Sequence, residues 1–284
     1  MSMTAFSPDL PALHARLRAS APLVQAITNT VVQQFSANVL LAAGAAPAMI
    51  DHEADAAQFA GVADGVLINL GTASNHQLLA ADAAISVASE TGKPWVLDPV
   101  SVGVVAFRTI KIRQAAAARP AVVRGNASEL AALAGAGAGG RGVDSTDEVD
   151  AVLPAAIRLA QVTGGVVAVS GARDAVVAVD GAQARVARIG GGHALMPKGV
   201  GMGCSLGALV VAYLAAGRAL GGDRLTGDWA ATVAAHAHFA LAGAAAGARA
   251  LGPGSFQVAF VDALHALPSA DLARADVQVE ARVL

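Results

Sequence analysis

The run Gly199-Val200-Gly201-Met202-Gly203-Cys204-Ser205 leads straight into an uncharged, helix-like stretch from Leu206 to Ala216. Glycines ahead of a helix let successive N–H groups converge on one point, with the positive end of the helix dipole behind them. Such a cradle suits an anion, and phosphate above all. The plainer alternative is a helix-start loop whose glycines serve close packing. Cys204 sits at the head of that helix, where a thiol is expected to be partly ionised. Three readings stand for it: a small buried hydrophobe, a nucleophile met in space by His193, His236 or His238, or a general base that holds an alcohol in line for phosphoryl transfer. No Cys-protease or acyltransferase signature surrounds it.

Two acids fall near this chemistry. Asp98 closes an apolar run, and Glu129 follows Arg124-Gly125-Asn126 on a helix-like segment. Paired carboxylates beside a phosphate cradle would suit Mg²⁺, which takes oxygen ligands and keeps several waters. Equally, Asp98 would cap the turn at Pro99 and Glu129 would lie on a solvated helix face; spacing alone does not separate the two. His236 and His238 stand two residues apart on a helix-like stretch, so they face different ways and make a poor metal pair. With one cysteine and scattered histidines, no zinc site is visible. Gly135-Ala136-Gly137-Ala138-Gly139-Gly140 matches G-x-G-x-x-G but follows a helix rather than a strand, so it reads as a surface loop and not a dinucleotide site.

The elements that must position these groups are short apolar runs, each leaving through a polar turn into an Ala/Leu-rich segment. They are Gly65 to Leu70 before Gly71-Thr72, Trp95 to Asp98 before Pro99, Ala121 to Arg124 before Gly125-Asn126, and Gly165 to Val169 before Ser170-Gly171. Ala175 to Val179 and Arg185 to Ile189 read as a hairpin around Asp180-Gly181. Continuous apolar strands alternating with helices mean a mostly parallel sheet covered on both faces. Ligands bind beyond the carboxyl ends of such strands, where Asn69, Thr72, Asp98, Arg124, Asn126 and Ser170 collect. After the hairpin the sequence predicts a glycine-rich loop and a predominantly helical C-terminal third. No linker or repeat divides residues 1–284, so one domain is expected.

Composition narrows the function classes. In 284 residues, 55% are hydrophobic and 14% charged, which excludes a disordered chain. A net charge of −2 offers no basic excess, so nucleic acid is not an expected partner. The single cysteine forms no internal disulfide, and the N-terminal residues lack a signal-peptide pattern, so the cytoplasm is the expected compartment. A mean hydropathy of +0.55 raises the question of a membrane, sharpened by the uncharged stretches Gly199–Gly217 and Trp229–Ala248. Their apolar content is largely Ala and Gly, and His236 and His238 would be costly in lipid, so closely packed internal helices are expected instead.

From about Pro22 to Leu267 the chain resembles the hydroxyethylthiazole kinase family, thiamine-salvage members of the ribokinase-like superfamily. The resemblance is carried by Pro22-Leu23-Val24, Ile27-Thr28-Asn29, Phe35-Ser36-Ala37-Asn38, Gly44-Ala45-Ala46-Pro47-Ala48-Met49 and Asn69-Leu70-Gly71-Thr72. It continues through Asp98-Pro99-Val100, Arg124-Gly125-Asn126-Ala127-Ser128-Glu129, Gly142-Val143-Asp144-Ser145, Gly201-Met202-Gly203-Cys204 and Gly252-Pro253-Gly254-Ser255-Phe256. The cysteine after the glycine loop marks this family, since most ribokinase-like enzymes carry aspartate there.

The resemblance implies a ribokinase-like three-layer α/β sandwich that uses ATP and Mg²⁺ to phosphorylate the primary alcohol of 4-methyl-5-(2-hydroxyethyl)thiazole. It implies a homotrimer with the thiazole pocket between subunits. Carried over residue by residue, Met49 touches the thiazole and Gly201 lies at the substrate alcohol, with Asn29 and Gly71 as further pocket candidates. Arg124 and Ser170 contact ATP, with Asn126 beside them. Cys204 takes the place of the superfamily's base within the Gly201–Gly203 loop, and Asp98 and Glu129 match its Mg²⁺-organising acids. Gln25 stands where the family usually has histidine, Val200 replaces a threonine, and Gly199 adds flexibility; all three bear on substrate choice and rate. The alternatives are a kinase of a related heterocyclic alcohol such as a hydroxymethylpyrimidine, a non-catalytic trimeric ligand-binding paralogue, and Cys204-dependent acyl transfer.

Overall fold

In a computed structural model of the chain, which describes residues 7–136, 146–219 and 221–284, the apolar runs become strands of one sheet. β1 (Leu23–Ile27), β2 (Ala46–Ala48), β3 (Gly65–Asn69), β4 (Trp95–Asp98), β5 (Val122–Asn126) and β6 (Val166–Ser170) pair in parallel in the order β2-β1-β3-β4-β5-β6. The order continues antiparallel through β7 (Asp174–Asp180), β8 (Gln183–Ile189) and β9 (Val277–Val283). The expected hairpin is present one residue out of step: Asp180 pairs with Gln183, and Gly181 takes the single positive φ of the turn, +55°. The C-terminal third is predominantly helical, as expected, and adds one strand that the sequence reading did not place, β9. Its alternation, Val277, Val279, Ala281 and Val283 against Gln278, Glu280 and Arg282, is a half-exposed edge strand.

The period-two alternation of the buried strands divides the core into two layers. Leu67, Val96, Val122, Val166 and Val176 face one side, where they pack with α1 (Leu10–Ser20), α2 (Gln33–Ala43), α8 (Met202–Arg218), α9 (Arg224–Gly247) and α10 (Pro253–Ala266). Val66, Ile68, Leu97, Val123 and Val167 face the other, against α3 (Ala56–Val62), α4 (Asn75–Glu90), α5 (Ala106–Ala117), α6 (Ala127–Leu133) and α7 (Thr146–Thr163). The result is the three-layer α/β sandwich. The two uncharged stretches fall in α8 and α9, buried against the sheet and each other. Among the described residues no helix is long and apolar enough to cross a membrane.

α8 begins at Met202, four residues earlier than the sequence suggests, because Gly201 already serves as its N-cap with φ +92°. A side chain at Gly201 would be strained by that backbone and would also press on Phe35 and Val32, 3.0–3.2 Å from an added Cβ. Further along, Gly207 brings α8 down onto β3 and β4: an added Cβ would sit 3.2 Å from Leu67 and 3.6 Å from the Asp98 carboxylate. This close approach sets the first turn of α8 over the strand ends. Most of the Gly135–Gly140 motif and the Gly142–Ser145 segment lie outside the described residues.

Candidate active site

The parallel strands β3, β4, β5 and β6 each end on a polar side chain: Asn69, Asp98, the Arg124–Asn126 pair and Ser170. Asn69 and Asp98 are paired in register, as are Asn126 and Ser170, so these groups line up along one edge. Asn69 Nδ2 donates to Asp98 Oδ2 at 3.0 Å, while Asn69 Oδ1 accepts from the Gly71 N–H at 3.1 Å and from Asn29 Nδ2 at 3.3 Å. Asn29 Nδ2 also reaches Cys204 Sγ at 3.2 Å. From the other side, Arg124 Nη1 donates to the Gly203 carbonyl at 2.8 Å and Nη2 to Ser170 Oγ at 2.5 Å. One buried network thus runs from Asn29 and Gly71 through Asn69 and Asp98 to Arg124, Ser170 and the first turn of α8.

Burial sets the electrostatics. Asp98 is 1% exposed, and desolvation pushes its pKa up to about 7. The Arg124 guanidinium and the Asn69 hydrogen bond pull it down, and Glu129 adds to the rise. Asp98 Oδ1 is buried and meets no hydrogen-bond partner among the described residues. Glu129 is raised too, chiefly by burial, against hydrogen bonds from the Asn126 and Ser101 backbone and the Arg124 charge. It does not lie on a solvated face. Glu129 Oε2 accepts from the Asn126 N–H at 2.9 Å and Asn126 Oδ1 accepts from the Glu129 N–H at 2.9 Å, a reciprocal cap that starts α6.

Cys204 corrects an expectation. Despite its place in the first turn of a helix, its thiol is pushed up to about 11, first by burial and then by the neighbouring Asp98 carboxylate. Hydrogen bonds from Asn29 and Asn69 and the Arg124 charge oppose this without reversing it. None of the three histidines offered as partners bonds to it. His236 Nδ1 lies 2.6 Å from Asp174, His238 Nδ1 lies 3.0 Å from the Tyr213 hydroxyl, and His193 stacks on Phe256.

The remaining candidates flank the network. Gly71 is wedged between Val100, Asn69 Oδ1 and Asn29, and its carbonyl accepts from Arg108. Met49 is half-buried, packed on the apolar core beyond β2. Gln25 is buried on β1 and donates from Nε2 to the carbonyls of Ile50 at 2.9 Å and Ala56 at 3.2 Å, so it fixes the segment that carries Met49. Val200 is exposed, and its carbonyl accepts from Gln257. Asn69, which the sequence places among the polar strand-end residues without a role of its own, is the hub of the network.

A groove of about 590 Å³ lined by Lys93, Arg119, Arg218 and Asp228 opens at the opposite, amino-terminal end of the strands. Helix carboxyl ends point there. Lys93 Nζ meets the Gly61 and Ala63 carbonyls, both at 2.5 Å, and Arg218 is held by Asp228 and the Gly92 carbonyl. Lys93 and Arg218 are thus met by carbonyl and carboxylate oxygens of the chain itself.

A family model described as the hydroxyethylthiazole kinase family matches residues 14–270. The chain belongs to the hydroxyethylthiazole kinase family. A hydroxyethylthiazole kinase of Corynebacterium efficiens is 51% identical over 263 residues, 92% of this chain and 94% of that protein. One from Kineococcus radiotolerans is 49% identical over 277 residues, 98% of this chain and 96% of that protein. Among solved structures, the hydroxyethylthiazole kinase protein of Pyrococcus horikoshii OT3 is similar with a TM-score of 0.82 at 32% identity, covering 95% of this chain and 98% of that one. A Staphylococcus aureus pyridoxal kinase in complex with ADP has a TM-score of 0.59 at 16% identity, covering 92% of this chain and 99% of that one, a likeness of fold alone. The fold is ribokinase-like, and the family gives the polar strand-end network its context.

Proposed function

We propose that this chain transfers the γ-phosphoryl group of ATP to the primary alcohol of 4-methyl-5-(2-hydroxyethyl)thiazole, a salvage step toward thiamine. One observation carries the reading: the N-terminal turn of α8, with its convergent N–H groups, meets Arg124 on one side and the Asn29–Cys204 pair on the other. A phosphoryl group between them would face a cation, backbone donors and an acceptor subsite at once.

The residues divide by side. Arg124 and Ser170, with Asn126 setting the β5–α6 turn, form the ATP side. Met49, Asn29, Gly71 and Gly201 form the thiazole side. Gly201, Gly203 and Cys204 bear the transferring group. The transition state is loose, so positioning and charge neutralisation dominate. Arg124 and the α8 N–H groups stabilise the charge that develops on the phosphoryl oxygens. Cys204 holds its own proton at neutral pH, so only its small thiolate fraction would take the alcohol proton, late in the transfer, and the base contributes little.

Mg²⁺ fits the donor set. Asp98 Oδ1 is a buried oxygen without a partner among the described residues, and Glu129 is a half-buried carboxylate that interacts with it. Mg²⁺ takes oxygen ligands and keeps several waters, so two carboxylates beside the phosphates match its usual coordination. Asp98 and Glu129 would hold it, and it would neutralise phosphate charge.

The active unit we propose is a homotrimer of single kinase domains in the cytoplasm. Val104, Phe107 and Ile110 are 65%, 57% and 56% exposed around Arg108, which bonds the Gly71 carbonyl. A neighbouring chain over that patch would complete the acceptor side. Steady-state ATP turnover with a panel of heterocyclic alcohols tests the reading. Hydroxyethylthiazole should give the highest kcat/KM; preference for a hydroxymethylpyrimidine, or binding without turnover, would overturn it.

A further inference from the structure

We propose that His236 is a positioning residue for the nucleotide, acting through Asp174 on the turn that carries Ser170. His236 lies on α9, outside the network described above, and is fully buried. Its Nδ1 sits 2.6 Å from Asp174 Oδ2. A carboxylate accepts only, so Nδ1 carries the proton and donates. Asp174 is the first residue of β7, and its other oxygen, Oδ1, accepts from the Gly171 N–H at 2.9 Å. Gly171 follows Ser170, whose hydroxyl accepts from Arg124 at 2.5 Å. A chain of three hydrogen-bonded contacts therefore joins a helix on one face of the sheet to the guanidinium assigned to ATP.

The geometry gives this chain a job that packing alone does not. The β6–β7 turn has three residues, Gly171 to Arg173, between strands. One end is tied by Arg173 to Asp276, 2.7 Å away, and the other by the Asp174 acceptor. Without His236 the Asp174 carboxylate loses the donor that fixes its orientation, and the Gly171 N–H loses a fixed acceptor. Ser170 is then free to shift relative to Arg124. His236 Nε2 is buried and meets no hydrogen-bond partner among the described residues. An orphaned ring nitrogen costs stability, so a phenylalanine would suit the same space better if filling it were the whole role.

This inference rests on the ATP-kinase reading and is tested separately from it. His236→Phe keeps the volume and removes the donor, whereas His236→Asn keeps a donor where Nδ1 stands and removes volume. The expected result is a rise of about tenfold in the KM for ATP in His236→Phe, the scale of one lost charge-assisted hydrogen bond. The thiazole KM and kcat should change by less than about twofold, and His236→Asn should return the ATP KM toward wild type despite the smaller side chain. An unchanged ATP KM in folded His236→Phe overturns the proposal, as does an Asn variant that performs worse than the Phe variant. If His236→Phe does not fold, Asp174→Ala decides: the same ATP-specific rise supports the chain of contacts, and an unchanged ATP KM overturns it. A wild type that turns over no ATP overturns both readings, whereas normal wild-type turnover with an unchanged ATP KM in the variants overturns this one alone.

Discussion

Asp98 and Arg124 approach to 3.8 Å, Oδ2 to Nη1, yet neither is the other's main partner. They lie one residue beyond the last paired register of their strands, Leu97 with Val123. Asp98 Oδ2 accepts from Asn69 and Arg124 donates to Gly203 and Ser170 at shorter distances. The pair is held apart by its other bonds, leaving an unpartnered carboxylate oxygen and an incompletely neutralised buried charge.

That carboxylate makes stability depend on pH in a definite direction. A folded pKa of about 7 against an ordinary value of 3.8 means that the folded state binds the proton more tightly. The contribution is present below about pH 4 and is lost as pH rises through 7. Asp98→Asn removes it. Without metal or nucleotide, the melting temperature of the variant should gain on wild type from pH 5 to pH 8 and then level off. A constant difference would contradict the assignment.

A thiol raised to about 11 is almost wholly protonated at neutral pH. Iodoacetamide should therefore label Cys204 at pH 8 at least 100-fold more slowly than free cysteine, by mass spectrometry. Cys204→Ala should lose less than the roughly 10²–10⁴-fold expected of a well-placed base. Cys204→Asp should keep or raise turnover, since an ionised carboxylate can take a proton at neutral pH while a protonated thiol cannot. An aspartate variant that folds, binds ATP and turns over far more slowly would remove the base role.

Arg124→Ala should raise the KM for ATP at least tenfold and the KM for the thiazole far less. Arg124→Lys should not rescue it, because one ammonium cannot meet the Gly203 carbonyl and Ser170 Oγ in the same fork. A larger rise in the thiazole KM would move Arg124 to the acceptor side.

The strand ends were legible from sequence because each apolar run stops at a polar residue. Trp95 to Asp98 is the observed β4 residue for residue, and the helix-like segment that carries Glu129 is α6. The cap joining Asn126 and Glu129 is a local three-residue spacing that could have been read. The height of the Cys204 pKa could not: it depends on Gly207 bringing α8 onto β3 and β4, a contact between residues more than a hundred positions apart. The helix-terminus rule predicted the opposite sign and lost to desolvation. Asp174 and His236 are 62 positions apart, so only the fold reveals their pairing.

His14 and His238 meet edge to face, centroids 4.5 Å apart, where α1 meets α9. Burial lowers His14 to about 4 and His238 to about 3, with Arg18 and the second imidazole adding smaller effects. Unfolding then takes up protons, so stability is complete above pH 6.5 and lost as pH falls toward 4. The melting temperature of His238→Gln should fall less steeply across that window. An identical slope would show that the His238 ring protonates without cost.

Phe107→Glu should leave the monomer fold intact, because the side chain is 57% exposed. Light scattering should show the assembly shifting below the mass of three chains, together with a higher KM for the thiazole. Full activity in a monomer would refute a shared pocket.

The position of β9 has a consequence for degradation. Its approach, at Asp276, accepts from the Gly190 N–H at 2.9 Å through its carbonyl and binds Arg173 through its side chain. Gly190 is the root of the loop leading to the α8 glycines, and Arg173 closes the β6–β7 turn. Trimming from the carboxyl end back to Ala275 would expose the edge of β8 and also untether both loops that flank the nucleotide side. A protease acting there would inactivate the enzyme while most of the hydrophobic core stayed folded.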